Sequence, residues 1–138
     1  QINPSIKLET WLNNKQIVII GKGKTGGGPL IKYLRVINDR LDIIDSKENK
    51  PEKLTKKADI IVTAVGKPNI LRRHMLKNGV ILIGVGMYRA SDGKMHGDYD
   101  EEDIQDVATF YTPIPGGVGP VNVAMLLKNL MKAAEELS

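Results

Sequence analysis

The 138-residue chain has no cysteine. That excludes a disulfide framework, a thiolate nucleophile, and zinc or iron–sulfur sites built on cysteine. No apolar run approaches the roughly 20 residues of a membrane span, and no signal peptide opens the chain. A cytoplasmic protein without a membrane partner is expected. There is no block of one charge sign either. The 20 Lys and Arg are interspersed with 16 Asp and Glu, for a net charge of +4 and a pI near 9.3, so nucleic acid is not demanded as a partner. The densest basic stretch, Lys47, Lys50, Lys53, Lys56 and Lys57, alternates with acids and lacks aromatic neighbours, which reads as a solvated face. Repeats and low-complexity segments are absent. Of the two histidines, His74 sits among Arg72, Arg73 and Lys77 as a surface residue would. His96 has no second His or Cys at ligand spacing, so no metal site is expected. The first residue is Gln1 rather than methionine, as in a processed chain or a piece of a longer one.

What is present alternates. "QIVIIG" (16–21), "LDIID" (41–45), "ADIIVTAVG" (58–66), "GVILIGVG" (79–86) and the weaker "ATFYTPI" (108–114) are short, β-branched and apolar without alternation. Such runs suit strands covered on both faces. Between them, "PLIKYLRVIN" (29–38) spaces Leu30, Ile31, Leu34 and Ile37 for a helix, with Pro29 in its first turn. "PEKLTKK" (51–57) makes a short helix. "ILRRHMLKNG" (70–79) reads as a helical turn stopped by Gly79. "DEEDIQDVA" (100–108) carries acids in its first turn and Ile104, Val107 and Ala108 on one face. The opening 15 residues predict a helix capped near Ser5 that packs Trp11 and Leu12 on the sheet. The tail predicts a long helix with Val123, Leu126, Leu127, Leu130, Ala134 and Leu137 on an apolar stripe. Strands alternating with helices over this length predict one α/β domain spanning 1–138. Its fold would be a doubly wound, mostly parallel sheet with helices on both faces.

The most informative stretch is "GKGKTGGGP" (21–29), with five glycines in nine residues at a strand-to-helix switch. Glycine loses more entropy on folding than any other residue, so a cluster here implies close approach to the backbone. Gly21, Gly23 and Gly26 satisfy G-x-G-x-x-G in the context the motif requires, where helix N-terminal amides face a pyrophosphate. A tight turn without a ligand is the plainer alternative. Gly23-Lys24-Thr25 mimics the end of a P-loop, but the glycine needed five residues earlier is Val18, inside the strand. Asp45 ends the second predicted strand 24 residues after Gly21, near the offset of about 20 at which an acid meets a ribose hydroxyl. That favours NAD over NADP, although Ser46 and Lys47 could hold a phosphate, and a solvated acid opening a loop would look the same. The acids Asp98, Asp100, Glu101, Glu102 and Asp103 resemble a calcium loop, but the glycine required at its sixth position is Asp103. Helix capping is the expectation for them.

"TPIPGGVGPVNVAM" (112–125) places three prolines and three glycines at the end of a strand, over the edge where doubly wound sheets bind ligands. It resembles the Pro-Gly-Gly-Val-Gly-Pro-Met-Thr signature of the methylenetetrahydrofolate dehydrogenase/cyclohydrolase family. The similarity runs back through "HGDYDEEDIQDVATFY" and "ADIIVTAVGKPNILRRHMLKNGVILIGVGMYR" to the glycine loop. The resemblance implies the NAD(P)-binding half of a two-domain enzyme. That enzyme oxidises 5,10-methylenetetrahydrofolate with NAD or NADP and hydrolyses the methenyl product to 10-formyltetrahydrofolate. By position it assigns cofactor contacts to Gly21, Lys22, Gly23, Gly27, Asp45 and Ser46, with Pro29 matching a further family position. Ala64, Val85, Met87 and Asn122 fall on the nicotinamide side, and Pro115, Gly116 and Gly117 on the segment touching folate. It also implies a homodimer. Lys22-Gly23 stands for the family's Arg-Ser, Asp45 for a histidine, Gly84 for an aspartate, Tyr88 for an asparagine and Asn122 for a threonine.

The family's proton chemistry belongs to a Tyr-x-x-x-Lys pair in a preceding folate domain. Four residues after Tyr33, Tyr88, Tyr99 and Tyr111 stand Ile37, Asp92, Asp103 and Pro115, so no catalytic residue is assigned here. The expected partner is a tetrahydrofolate derivative held with a catalytic domain absent from these 138 residues, without which the chain is inactive. A non-enzymatic dinucleotide sensor or assembly module is the competing reading, and a pure scaffold a third.

Overall fold

The computed structural model describes residues 7–137 apart from Ser46 and Asn49. Five strands form one parallel sheet: β1 (Ile17–Ile20), β2 (Leu41–Ile44), β3 (Ile60–Thr63), β4 (Val80–Gly84) and, after a separate hairpin of β5 (Met87–Arg89) and β6 (Met95–Gly97), β7 (Ala108–Tyr111). Their spatial order is β2-β1-β3-β4-β7. Every neighbouring pair in this sheet runs parallel. The chain therefore leaves β1 for one side of the sheet and later returns to lay β3 on the other. That reversal opens a crevice beyond the carboxyl ends of β1 and β3, where folds of this kind take their ligands.

Burial explains the strand composition. β1 and β3 are buried at every residue, and their register pairs Ile17 with Ile60 and Ile19 with Val62. Successive side chains point to opposite faces. Val18, Ile20, Ile61 and Leu82 thus enter one core together with Leu71, Tyr99 and Ile104. Ile17, Ile19, Ile60 and Val62 enter a second with Ile31 and Leu34. The second core lies under α1 (Leu8–Asn13), whose Trp11 and Leu12 pack on it, and under α2 (Gly27–Ile37). α3 (Glu52–Thr55) and α4 (Glu101–Ile104) send Leu54 and Ile104 into the first. The expected doubly wound architecture is what forms.

Four local expectations change. The 70–79 stretch is helical only in a 3₁₀ turn over Arg73–Met75, because its start is extended, with Leu71 bridged to Tyr99. Gly79, at φ +81°, does not stop a helix; it turns the chain into β4 and donates to the Val107 carbonyl at 2.8 Å. Ala108 is not on the α4 face but opens β7. The hairpin at 87–97 had no counterpart among the expected elements. The predicted cap at Ser5 lies outside the described residues, while Lys7, at the α1 N-terminus, makes no side-chain cap.

The tail helix, α5 (Val118–Leu137), forms as expected but buries none of its residues. Leu126 and Leu130 are 67% and 66% exposed. Among the described residues, no helix is long and apolar enough to cross a membrane.

Candidate functional site

The glycine loop between β1 and α2 is pressed onto the end of β3 so closely that side chains are excluded. Gly21 has φ +95°, and a Cβ there would lie 2.6 Å from the Ala64 carbonyl oxygen. A Cβ on Gly27 would collide with the Gly21 carbonyl, and one on Gly28 would sit 2.9 Å from the Gly23 carbonyl. Gly28 N–H donates to that Gly23 carbonyl at 2.8 Å, closing the turn. Gly23 differs: nothing lies within 4 Å of the position its Cβ would take. Its missing side chain serves open space rather than packing, which is the property a phosphate cradle needs. α2 begins without a side-chain cap from Gly26; of the first-turn positions that lack an acceptor within the helix, Gly28 spends its N–H on the Gly23 carbonyl and Pro29 has none, which leaves the Gly27 amide.

The other predicted residues divide into those brought here and those left apart. A Cβ at Gly26 would lie 3.2 Å from Ala64 Cβ and 3.7 Å from Val85 Cγ1, so Ala64 and Val85 converge on the glycine loop from β3 and β4. Asp45, at the end of β2, accepts from Lys22 Nζ at 2.6 Å and from the Lys47 N–H at 2.9 Å. The hydrogen bond from the Lys22 ammonium, seconded by the Lys47 amide, holds its carboxyl below the usual carboxylate range. Asp45 is thus an ion-paired acid at the start of the loop after β2. Ser46 lies outside the described residues. Met87 opens the exposed hairpin, half-exposed itself, and its carbonyl lies 3.0 Å from where a Cβ on Gly66 would be.

Pro115, Gly116 and Gly117 follow β7 at the same carboxyl edge. The Ile114–Pro115 peptide is cis and Gly116 has φ +105°. Ile114 N–H donates to Glu101 Oε1 at 2.8 Å, and a Cβ on Gly117 would lie 2.5 Å from the Pro113 carbonyl. Pro115 and Gly116 stay exposed, as does Asn122 on α5.

Three residues that sequence reasoning missed hold this edge together. Thr112 Oγ1 accepts from Gly84 N–H at 2.8 Å, and Tyr99 Oη donates to the Thr112 carbonyl at 2.7 Å. Asp98, expected with its acidic neighbours as a helix cap, is instead fully buried. The capping residue is Asp100, whose side chain accepts from Glu102 N–H. No composition signal separates Asp98 from the acids that follow it. No group of three His, Cys, Asp or Glu among the described residues could hold a metal ion.

A β1–α2 glycine loop at the reversal point of a parallel sheet, with an acid at the end of β2, defines an α/β dinucleotide-binding domain. Residues 6–138 match the family model described as tetrahydrofolate dehydrogenase/cyclohydrolase, NAD(P)-binding domain, and the chain belongs to that family. The bifunctional protein FolD of Campylobacter hominis is 44% identical over 124 residues, covering 90% of this chain and 44% of the relative. The crystal structure of the bifunctional FolD methylenetetrahydrofolate dehydrogenase/cyclohydrolase from Campylobacter jejuni superposes with a TM-score of 0.88 at 38% identity. It covers 94% of this chain and 46% of that one. The Trypanosoma brucei enzyme, crystallised with NADP cofactor and an inhibitor, superposes with a TM-score of 0.79 at 30% identity over 87% of this chain and 43% of that one. The chain thus spans less than half the length of the relatives it matches.

Proposed function

We propose that this chain is the cofactor half of an NAD(P)-dependent 5,10-methylenetetrahydrofolate dehydrogenase and 5,10-methenyltetrahydrofolate cyclohydrolase, working with a folate-binding domain. The observation that carries the reading is the glycine loop packed against Ala64, with Gly23 opening onto free space, in a chain of this family. When bound, the dinucleotide supplies the hydride acceptor. The work of this chain is positional. Loop 21–28 and the α2 N-terminus grip the diphosphate; Ala64, Val85, Met87 and Asn122 set the nicotinamide side; and Pro115 to Gly117, following β7 at the same edge, face the folate. Holding two reactants in reactive geometry contributes a large share of such a rate.

The proton chemistry requires residues this chain does not have, since none of its tyrosines is followed by lysine at the fourth position. Two features support a partner domain: relatives more than twice as long and an α5 that leaves its apolar side chains uncovered. The chain by itself is expected to bind dinucleotide and to show neither dehydrogenase nor cyclohydrolase turnover. Robust activity without an added domain would overturn the division of labour.

Asp45 sets the cofactor choice in this reading. A 2′-phosphate drawn to Lys22 would sit beside the Asp45 carboxylate already paired with it, a like-charge contact, so NAD is preferred over NADP. Calorimetric titration with both cofactors tests this directly, and a clear NADP preference defeats it. Asp45→Asn is expected to move the NADP to NAD affinity ratio upward by roughly tenfold.

A further inference from the structure

Asp98 follows β6 and is entirely buried. A carboxylate survives inside a protein when its lone pairs are filled, and here main-chain N–H groups fill them. Asp98 Oδ2 accepts from Val65 at 3.0 Å, and Oδ1 from Gly66 at 2.7 Å and Lys67 at 2.9 Å. Its own carbonyl accepts from Ile70 at 2.7 Å and Leu71 at 3.3 Å. Both ends of one residue therefore grip the loop that leaves β3.

The segment leaving β4 is seated on the same carboxylate. A Cβ on Gly86 would run into Asp98 Oδ2 and lie 2.5 Å from Gly66 N. Gly66, at φ +72°, is in turn packed against the Met87 carbonyl, 3.0 Å from where its Cβ would be. The 65–67 turn, the Asp98 carboxylate and the 85–87 segment thus form one block with no spare volume. Ala64 and Val85 border the block where it meets Gly26, and Met87 borders it on the hairpin side.

We propose that Asp98 is a positioning residue for the nicotinamide end of the cofactor. By locking the 65–67 turn against 85–87, it makes Ala64, Val85 and Met87 a fixed wall. The diphosphate end is held by loop 21–28, which borders this block at Ala64, Val65 and Val85 but is closed by its own hydrogen bond from Gly28 N–H to the Gly23 carbonyl, so it is expected to depend on Asp98 far less. The inference rests on the dinucleotide reading above. Asp98 acts through the main-chain amides it binds.

The test separates the two ends of the ligand on this same chain. NADH is compared with ADP-ribose, and NADPH with 2′-phospho-ADP-ribose; each affinity ratio isolates what the dihydronicotinamide riboside side adds. Asp98→Asn is nearly isosteric, but its NH₂ cannot accept, so an N–H of the 65–67 turn loses its partner. The ratio is expected to fall about tenfold while ADP-ribose affinity stays within about twofold, and the fluorescence gain of the bound dihydronicotinamide is expected to shrink with it. Gly86→Ala displaces the same carboxylate from the opposite side and is expected to give the same selective loss. On the unsubstituted chain, NADH is expected to slow amide exchange at Val65, Gly66 and Lys67 beyond the slowing by ADP-ribose, a measurement that needs no variant to fold. Affinities for both ligands falling together, an unchanged ratio, a wild-type ratio near one, or equal exchange with both ligands would each overturn the role. If the unsubstituted chain binds no probe at all, the dinucleotide reading fails, and the Asp98 role fails with it.

Discussion

The 21–28 loop and the 112–137 segment lie at the same carboxyl edge of the sheet, yet one is closed by the chain's own atoms and the other stands open. At the loop, Gly27 is buried with no space for a methyl group, and Gly21 is held against Ala64. Beyond β7, Pro115 and Gly116 are exposed, and α5 displays Val121 at 62%, Leu126 at 67% and Leu130 at 66% exposure. Apolar surface left uncovered in this way marks an interface. Under the proposed function, this difference means that the dinucleotide side is complete within these residues, whereas the folate side is half of a site.

The sharpest way to break that comparison is at two glycines of one loop. Gly27→Ala is expected to cost about 3 kcal/mol, because the methyl meets the Gly21 carbonyl and main chain cannot yield cheaply. Gly23→Ala meets nothing. It is expected to leave stability within about 0.5 kcal/mol and, under the proposed function, to weaken dinucleotide binding, since the methyl would enter the open space assigned there to phosphate. Urea midpoints with parallel titrations check the pair; equal midpoints would mean the loop is not packed as described.

A smaller effect is expected at the base of the open segment. Thr112→Val removes the acceptor of the buried Gly84 N–H and is expected to cost about 1–3 kcal/mol, again read from denaturant midpoints. Its neighbour Tyr99 gives the same region a pH signature. Burial raises the phenol above its ordinary value of 10.0, so the folded chain holds that proton longer than the unfolded one. The contribution is complete below pH 10 and is lost as pH rises from there through the raised folded value. Stability followed between pH 9 and 12 is expected to decline less steeply in Tyr99→Phe, and parallel curves would show that the phenol is not coupled to folding. The least change is expected on α5: Leu126→Glu with Leu130→Lys alters exposed positions and is expected to shift the melting of this chain by the equivalent of about 0.5 kcal/mol or less. A large loss would reveal a contact that closes the open side within the chain itself.

How much was legible follows from the range of each interaction. All five strands of the parallel sheet were readable, most plainly β1 and β3, which are buried at every residue and so carry unbroken β-branched runs. The glycine loop was readable because a packed turn and a phosphate cradle both forbid side chains, and the prohibition is local. The β5–β6 hairpin was missed: its strands are three residues each and largely exposed, so no periodicity builds up. Gly79 looked like a helix stop because a positive φ serves a C-cap and a strand-entry turn equally well. Asp98 read as a helix-capping acid with its neighbours because its partners, Val65 to Lys67, lie more than 30 positions away.

By itself the sequence determined what is local or periodic: the five strands of the parallel sheet and the main helices, the glycine loop between β1 and α2, and the family to which its motifs point. Tertiary structure alone decided which neighbours those elements took. It placed β3 beside β1, tied Lys22 to Asp45, buried Asp98 under the β3 turn and left the α5 stripe without a cover. The physical reason is that chain periodicity reports burial along an element, whereas a hydrogen bond or a forbidden Cβ is defined by atoms far apart in sequence that meet only once the sheet has closed.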